Sequence, residues 1–185
     1  KGSTGDAEDG ELVRFEIGRS VRYGVPTARI VARLGNPEAQ QAISLIALHA
    51  HGIPDVFPPS VIAEADTAKE VELGSRVDLR NVPLITIDPV DARDHDDAAF
   101  AEPDTDPGNE GGWIVIVAIA DVAHYVTPGS ALDKEARKRG NSVYFPDRVV
   151  PMLPERISNE LCSLTEGVDR PCLAVRMVFD KDGRT

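Results

Sequence analysis

Cysteine is almost missing from this chain: 185 residues hold only Cys162 and Cys172, with nine residues between them. There is no CxxC pair, which argues against a zinc site. Two such thiols read as reduced cysteines of a cytoplasmic protein. Long apolar runs are missing too. Trp113 to Ala120 is too short to cross a bilayer, so no membrane partner is expected. The start shows no secretory signal peptide, and no internal repeat is visible. Aromatics are scarce at 5%, yet apolar residues at 42% suffice for a real core. The length suits one domain or one domain plus part of another. Basic charge is in deficit, and the net charge of -11 taken alone argues against a nucleic-acid partner.

The distribution of charge argues otherwise. From Asp78 to Glu110 ten acids face only Arg80 and Arg93, and this block holds most of the excess. From Glu11 to Gly35 five arginines (Arg14, Arg19, Arg22, Arg29, Arg33) face two glutamates. Lys134, Arg137, Lys138 and Arg139 form a second basic group. Basic patches beside an acidic centre fit a polyanionic substrate. Each patch alone is equally consistent with an ordinary solvated face.

Residues Lys1 to Gly10 are small and polar and read as a frayed terminus. Leu12–Ile17 and Thr27–Leu34 read as strands joined by a basic, hairpin-like connection from Gly18 to Pro26. Two strands do not make a fold, so this segment reads as the close of a small β-barrel. A helix follows, with Asn36 as N-cap, Pro37 in the first position and Glu38 near the positive end. Ile43, Ile46, Ala47 and Ala50 give it an apolar face, and Gly52 ends it. A second, acidic helix is expected from about Ser60 to Leu73. The two helices together read as a connector.

Val82 to Ile87 reads as a buried strand. Ala98 to Glu102 continues it or forms another. Trp113 to Ala120 reads as a strand buried on both faces. Ser130 and Asp133 form a near capping box for a short helix closed by Gly140. Pro171 to Phe179 reads as a further strand, followed by a turn at Lys181-Asp182-Gly183.

The chemistry concentrates in Ile87-Asp88-Pro89-Val90-Asp91-Ala92-Arg93-Asp94-His95-Asp96-Asp97-Ala98, where five aspartates fall within ten residues. Such packing is unfavourable unless a positive charge sits among them. A hard divalent cation prefers carboxylate oxygens, and phosphodiester hydrolysis is served by one or two such ions. Asp88, Asp94, Asp96 and Asp97 supply enough ligands. Asp94 and Asp96 share a side if the backbone is extended, and Asp97 joins them only if the loop turns. Asp91 reads as a loop residue and His95 as an exposed loop histidine rather than a general base. Competing readings are a structural Ca²⁺ loop and a solvated acidic turn. An EF-hand is excluded, because counting from Asp94 puts Ala99 where glycine is required.

These residues resemble the opening motif of the RNB catalytic domain, which defines the RNase II/RNase R family of exoribonucleases. The resemblance extends through Ala118-Ile119-Ala120-Asp121-Val122, Arg139-Gly140-Asn141-Ser142-Val143-Tyr144-Phe145-Pro146, Pro151-Met152-Leu153-Pro154 and Ile157-Ser158-Asn159-Glu160-Leu161-Cys162-Ser163-Leu164. The wording is closest to the RNase R branch. Upstream, His51-Gly52-Ile53-Pro54 is similar to that branch's connector, and residues 11–34 to the end of a cold-shock barrel.

The resemblance implies a mixed α+β fold in three parts. Residues 1–35 would close a cold-shock (OB-fold) domain, residues 36–80 would form a helical connector, and residues 81–185 would be the N-terminal half of a mixed-sheet RNB domain. It implies Mg²⁺, one or two ions with Mn²⁺ as a possible substitute, held by Asp88, Asp94, Asp96 and Asp97. Asp96 matches the aspartate needed for cleavage rather than for binding. Tyr144 matches a tyrosine that stacks on the terminal nucleotide, although taken bare it also reads as a half-buried strand aromatic. The implied reaction is metal-dependent 3′–5′ hydrolysis of single-stranded RNA to nucleoside 5′-monophosphates by a full-length protein expected to be monomeric. Further family active-site residues and an S1 domain fall outside this sequence. An alternative is therefore a non-catalytic RNA-binding or regulatory fragment, and a third reading is a Ca²⁺-stabilised structural domain.

Overall fold

In chain order the elements are β1 (Leu12–Ile17), β2 (Ala28–Gly35), α1 (Gln40–Ala50), α2 (Pro59–Thr67), β3 (Asp97–Pro103), β4 (Trp113–Ala120), α3 (Val122–Tyr125), α4 (Ala131–Arg139), β5 (Val143–Phe145), β6 (Arg148–Val150) and β7 (Cys172–Phe179). Short 3₁₀ and π-helical turns occupy Pro107–Asn109 and Arg156–Leu161. The computed structural model describes residues 6–18, 26–37 and 40–185. The expected fraying of residues 1–5, most of the connection after Gly18, the charges of Arg19 and Arg22, and the helix role of Glu38 lie outside these. The class is the expected mixture of helices and small antiparallel sheets. The chain divides into one unit of Lys1–Val56 with Ser142–Val150 and another of Phe57–Asn141 with Pro151–Thr185.

In the first unit β1 and β2 pair antiparallel, with register shifts at Leu12/Val13 and Arg14/Phe15. Arg29 pairs with Glu16 at 3.1 Å and Arg33 pairs with Glu11, so two of the expected basic residues are neutralised locally. Two strands cannot close a barrel. With α1 they leave an apolar hollow of about 270 Å³ lined by Leu12, Phe15, Leu34 and Ile46, among others.

Helix α1 is described from Gln40, and Pro37, the expected first position, lies in a turn. It ends as expected: Gly52 has φ +64° and the Ile53 N–H donates to the Leu48 carbonyl at 2.9 Å. Its buried side is not the expected one. Ala42, Ser44 and Leu48 are buried, whereas Ile43 is 72% exposed and Ile46 is exposed as well. A helix that is apolar nearly all round has no single face dictated by period, and a polar partner for Ser44 decides the orientation. The β5–β6 hairpin, in register Tyr144↔Val149, turns at Pro146-Asp147.

In the second unit β4 is the central strand of a sheet ordered β3-β4-β7, antiparallel throughout. It is not buried on both faces as expected. Ala118 and Ala120 are buried, but Trp113 and Ile119 are exposed. The core consists of Val61 and Ala65 of α2, Tyr125 of α3, Leu132 and Ala136 of α4, and Leu153, Ile157, Leu161 and Cys162, and it meets the sheet at Ala120. Helix α2 enters at Pro59 and stops at Thr67, short of the expected Leu73. The Thr67 hydroxyl donates back to the Ala63 and Glu64 carbonyls at 3.0 Å, and Ala68 is already extended. The Glu64 carboxylate accepts from the Ala131 and Leu132 N–H groups, at 2.8 and 3.2 Å, tying α2 to the start of α4.

Helix α4 has the expected cap: Ser130 Oγ accepts from the Asp133 N–H and Gly140 closes the helix at φ +82°. Of its four expected patch residues Lys134, Arg137 and Lys138 are exposed, whereas the Arg139 side chain is buried. Arg137 pairs with Asp133 at 3.0 Å, and Lys138 lies 3.8 Å from Glu135. Arg139 is buried with Glu135 at 3.0 Å, stacks its guanidinium 3.7 Å over the Phe57 ring and donates to the Pro151 carbonyl. The i,i+4 spacing on this helix supplies an acid for each of the two arginines, but only Arg139 is packed, since the Arg137 side chain is 76% exposed.

The expected buried strand Val82–Ile87 is irregular instead. It touches the sheet through a single bridge, Ile85 to Ala99, and Ile85 and Ile87 are 61% and 89% exposed. Pro83 and Pro89 each remove a backbone N–H, which prevents a continuous ladder.

The β3–β4 connection is closed by a tight contact. The Asn109 amide donates to Asp104 at 2.9 Å and to the Phe179 carbonyl at 3.0 Å, passing directly over Gly112. A Cβ at Gly112 would lie 2.1 Å from that amide nitrogen and 2.5 Å from the Phe179 oxygen. Gly112→Ala is expected to destabilise the second unit by about 1–3 kcal/mol, as overpacking does. Denaturant unfolding followed by Trp113 fluorescence checks this, and an unchanged midpoint would show that the loop adapts freely.

Candidate metal centre

The acidic loop enters β3 directly. Asp97 is the first residue of that strand, opposite Ile119, and the Asp96 carbonyl accepts from the Ala120 N–H at 2.9 Å. Position 96 is thus held by backbone pairing to the central strand. The loop before it is held by Ser163. This serine is fully buried; its hydroxyl donates to the Arg93 carbonyl at 2.8 Å and accepts from the His95 N–H at 3.2 Å. The Leu164 N–H donates to the His95 carbonyl at 2.9 Å, completing the clamp. Sequence reasoning assigned the anchor to a strand at 82–87 and missed Ser163. The available signal was a small polar residue enclosed by Leu161, Cys162 and Leu164.

The four sequence-selected aspartates share one field. Asp96 is solvent-exposed on one side, but partial burial raises its carboxyl above the ordinary range, and the charges of Asp94, Asp97 and Asp88 raise it further. All four therefore lie close enough to repel. Asp88 escapes part of that repulsion. Its Oδ2 sits 2.9 Å from Nδ1 of His95, and this bond, with one from Thr86, holds its carboxyl below the usual value. His95 is thus partly buried and bonded, not the free exposed histidine expected from the sequence. Among the described residues no three Asp, Glu, His or Cys side chains are gathered at one metal-binding point. Asp88 instead takes His95 as its partner.

The donor set still fits a hard cation. It is all oxygen, it is exposed at Asp96, and its central carboxylate is disfavoured by its neighbours, a penalty that a positive charge would reverse. Cys162 lies near enough to feel Asp96, but burial first, and then that charge, push its thiol up to about 11. It remains protonated at neutral pH and offers no thiolate. Tyr144 stands on β5 with 64% of its surface exposed, in the first unit, whereas the aspartates belong to the second.

Relatives of known name place these observations. Over 184 residues the chain is 47% identical to "Ribonuclease R" of Vibrio parahaemolyticus, a match covering 96% of this chain and 21% of that protein. It is 45% identical over 171 residues to "Ribonuclease R" of Escherichia coli K12, covering 90% of this chain and 20% of that protein. Among solved structures, Mycoplasma genitalium RNase R in complex with double-stranded RNA matches with a TM-score of 0.82 at 29% identity, over 97% of this chain and 32% of that one. The chain thus spans about a fifth of the length of the two curated relatives. Residues 1–58 match the cold-shock domain model, so the open two-strand sheet is part of an OB-type barrel. With residues 76–185 matching the RNB domain model, across the clamped acidic loop and the sheet it enters, the chain belongs to the RNB family.

Proposed function

We propose that a protein carrying this chain hydrolyses single-stranded RNA from the 3′ end to nucleoside 5′-monophosphates, using Mg²⁺ or Mn²⁺ held by Asp88, Asp94, Asp96 and Asp97. The observation that carries this is the acidic loop itself, pinned by Ser163 and led into β3 so that Asp96 feels the charges of Asp94, Asp97 and Asp88. Bound there, a divalent cation supplies positive charge against phosphate oxygens and lowers the pKa of water. The chain's own part is to hold the carboxylates. Ser163 pins the loop backbone, the β3–β4 pairing fixes positions 96 and 97, and His95 holds one oxygen of Asp88. Tyr144 offers an exposed ring for stacking on the terminal base, worth roughly 1–3 kcal/mol and indifferent to sequence. Similarity to proteins named Ribonuclease R supports the reading. We further read residues 1–35, 36–80 and 81–185 as barrel, connector and partial catalytic domain of a cytoplasmic, monomeric protein. The limited share of the relatives' length favours a second reading for the isolated chain, that of an RNA-binding piece without turnover.

Saturating Mg²⁺ is expected to draw Asp88 away and shift the His95 ring resonances, as read by NMR on the 185-residue chain. The shift should shrink strongly in Asp96→Asn. A His95 spectrum indifferent to millimolar Mg²⁺ and Mn²⁺ would remove the metal assignment.

A further inference from the structure

The β5–β6 hairpin has only three residues on each strand, and an isolated two-stranded hairpin is marginally stable in water. The position of Tyr144 therefore depends on what fastens the turn. One such fastening comes from α1. The hydroxyl of Ser44 donates to Asp147 Oδ1 at the turn, and Arg148 Nε donates to Asp147 Oδ2 at 3.1 Å. Ser44 is 6% exposed and, among the described residues, is one of the few buried polar ones. Burying a hydroxyl is costly unless it is bonded. The orientation of α1 bears this out, since the helix turns Ser44 inward and leaves Ile43 and Ile46 in solvent. The Asp147 carboxyl is held below its ordinary value, with the Ser44 bond as the largest cause, so the bond is made to a full negative charge.

We propose that Ser44 and Asp147 are positioning residues that fix the Tyr144 hairpin to α1 and so set the stacking of the 3′-terminal nucleotide. The inference rests on the reading of Tyr144 as the base platform. Ser44 and Asp147 belong to the first unit and the aspartates' loop to the second, so the tether is assigned to holding the RNA end and not to the hydrolytic step.

The test uses a full-length enzyme carrying these residues and an RNA ending in 2-aminopurine, in an Asp96→Asn background that binds without turnover. Stacking quenches the fluorophore. Ser44→Ala and Asp147→Ala should each restore most of its emission and weaken binding of the RNA end about tenfold, the scale of a lost bond to a charged group. The double variant should be no worse than either single one, as expected when both remove the same contact. Asp147→Asn keeps an acceptor oxygen and should keep most of the quenching, which separates the tether from general misfolding. Glu16→Gln, an exposed control in the same unit, should change nothing. With Asp96 intact, KM should rise while kcat stays within about twofold. Quenching lost in Tyr144→Ala but intact in Ser44→Ala overturns the tether alone. Full quenching in Tyr144→Ala overturns the platform reading and the tether with it.

Discussion

Asp96→Asn, placed in a full-length enzyme carrying this chain, is expected to lower RNA hydrolysis by at least about a thousandfold while changing RNA affinity less than about threefold. The exchange keeps size and hydrogen-bonding capacity and removes one charge. If Asp96 is the central ligand, the lost electrostatic stabilisation amounts to several kcal/mol, and each 1.4 kcal/mol is tenfold in rate. Loss of fold can be separated from loss of chemistry. The Asp96 carboxyl is raised by burial and by Asp94, Asp97 and Asp88, so its ionised form works against the folded state. Neutralising it relieves that repulsion, and the melting temperature should stay level or rise. Gel assays of 3′-end degradation, filter binding and thermal melts settle the three quantities together. Binding lost in parallel with cleavage would contradict the assigned role, and cleavage retained would end the exonuclease proposal.

Arg139→Met is expected to destabilise the second unit by about 3–5 kcal/mol, a loss of a different kind. The Arg139 and Glu135 side chains are 3% and 7% exposed. Removing the guanidinium leaves a carboxylate in the core, empties the stack over Phe57 and frees the Pro151 carbonyl. Lys138 stands 3.8 Å from the same carboxylate but from the solvent side, so it offers only partial relief. Adding Glu135→Leu to Arg139→Met should recover most of the loss, because the charge left without a partner is then gone. Arg137→Ala, with its side chain largely in water, should cost less than about 0.5 kcal/mol. Denaturant melts of all four proteins test this. Equal, small effects at 137 and 139 would return Arg139 to the surface patch that charge counting suggested.

The contrast between these two arginines shows where sequence reasoning reached its limit. Arg137 and Arg139 are near neighbours in the chain and equal in formal charge. Helical geometry turns them about 200° apart around the axis, so one meets water and the other the core. Charge counting has no access to that angle. The same holds for α1, where Ile43 and Ile46 made a plausible apolar face and Ser44 was passed over. The helix instead buries Ser44, because Asp147, far along the chain, accepts its hydroxyl. Elements carrying their own punctuation were legible: Ser130 and Asp133 at the start of α4, Gly140 at its end, and Gly52 after α1. Val82–Ile87 was misread because its apolar content suits a strand while Pro83 within it and Pro89 just beyond interrupt the ladder.

From the amino acids alone came the family motifs, the mixed class, the existence of most helices and strands, and the four aspartates to examine. All of these rest on local composition, spacing and short-range backbone preference. Tertiary structure alone decided that Ser163 clamps the loop, that His95 holds Asp88, that Arg139 is a core residue and that Ser44 fastens the Tyr144 hairpin. Each of these depends on burial or on a partner that only the folded chain supplies. A hydrogen bond across 70 or 103 positions leaves no periodic trace in sequence.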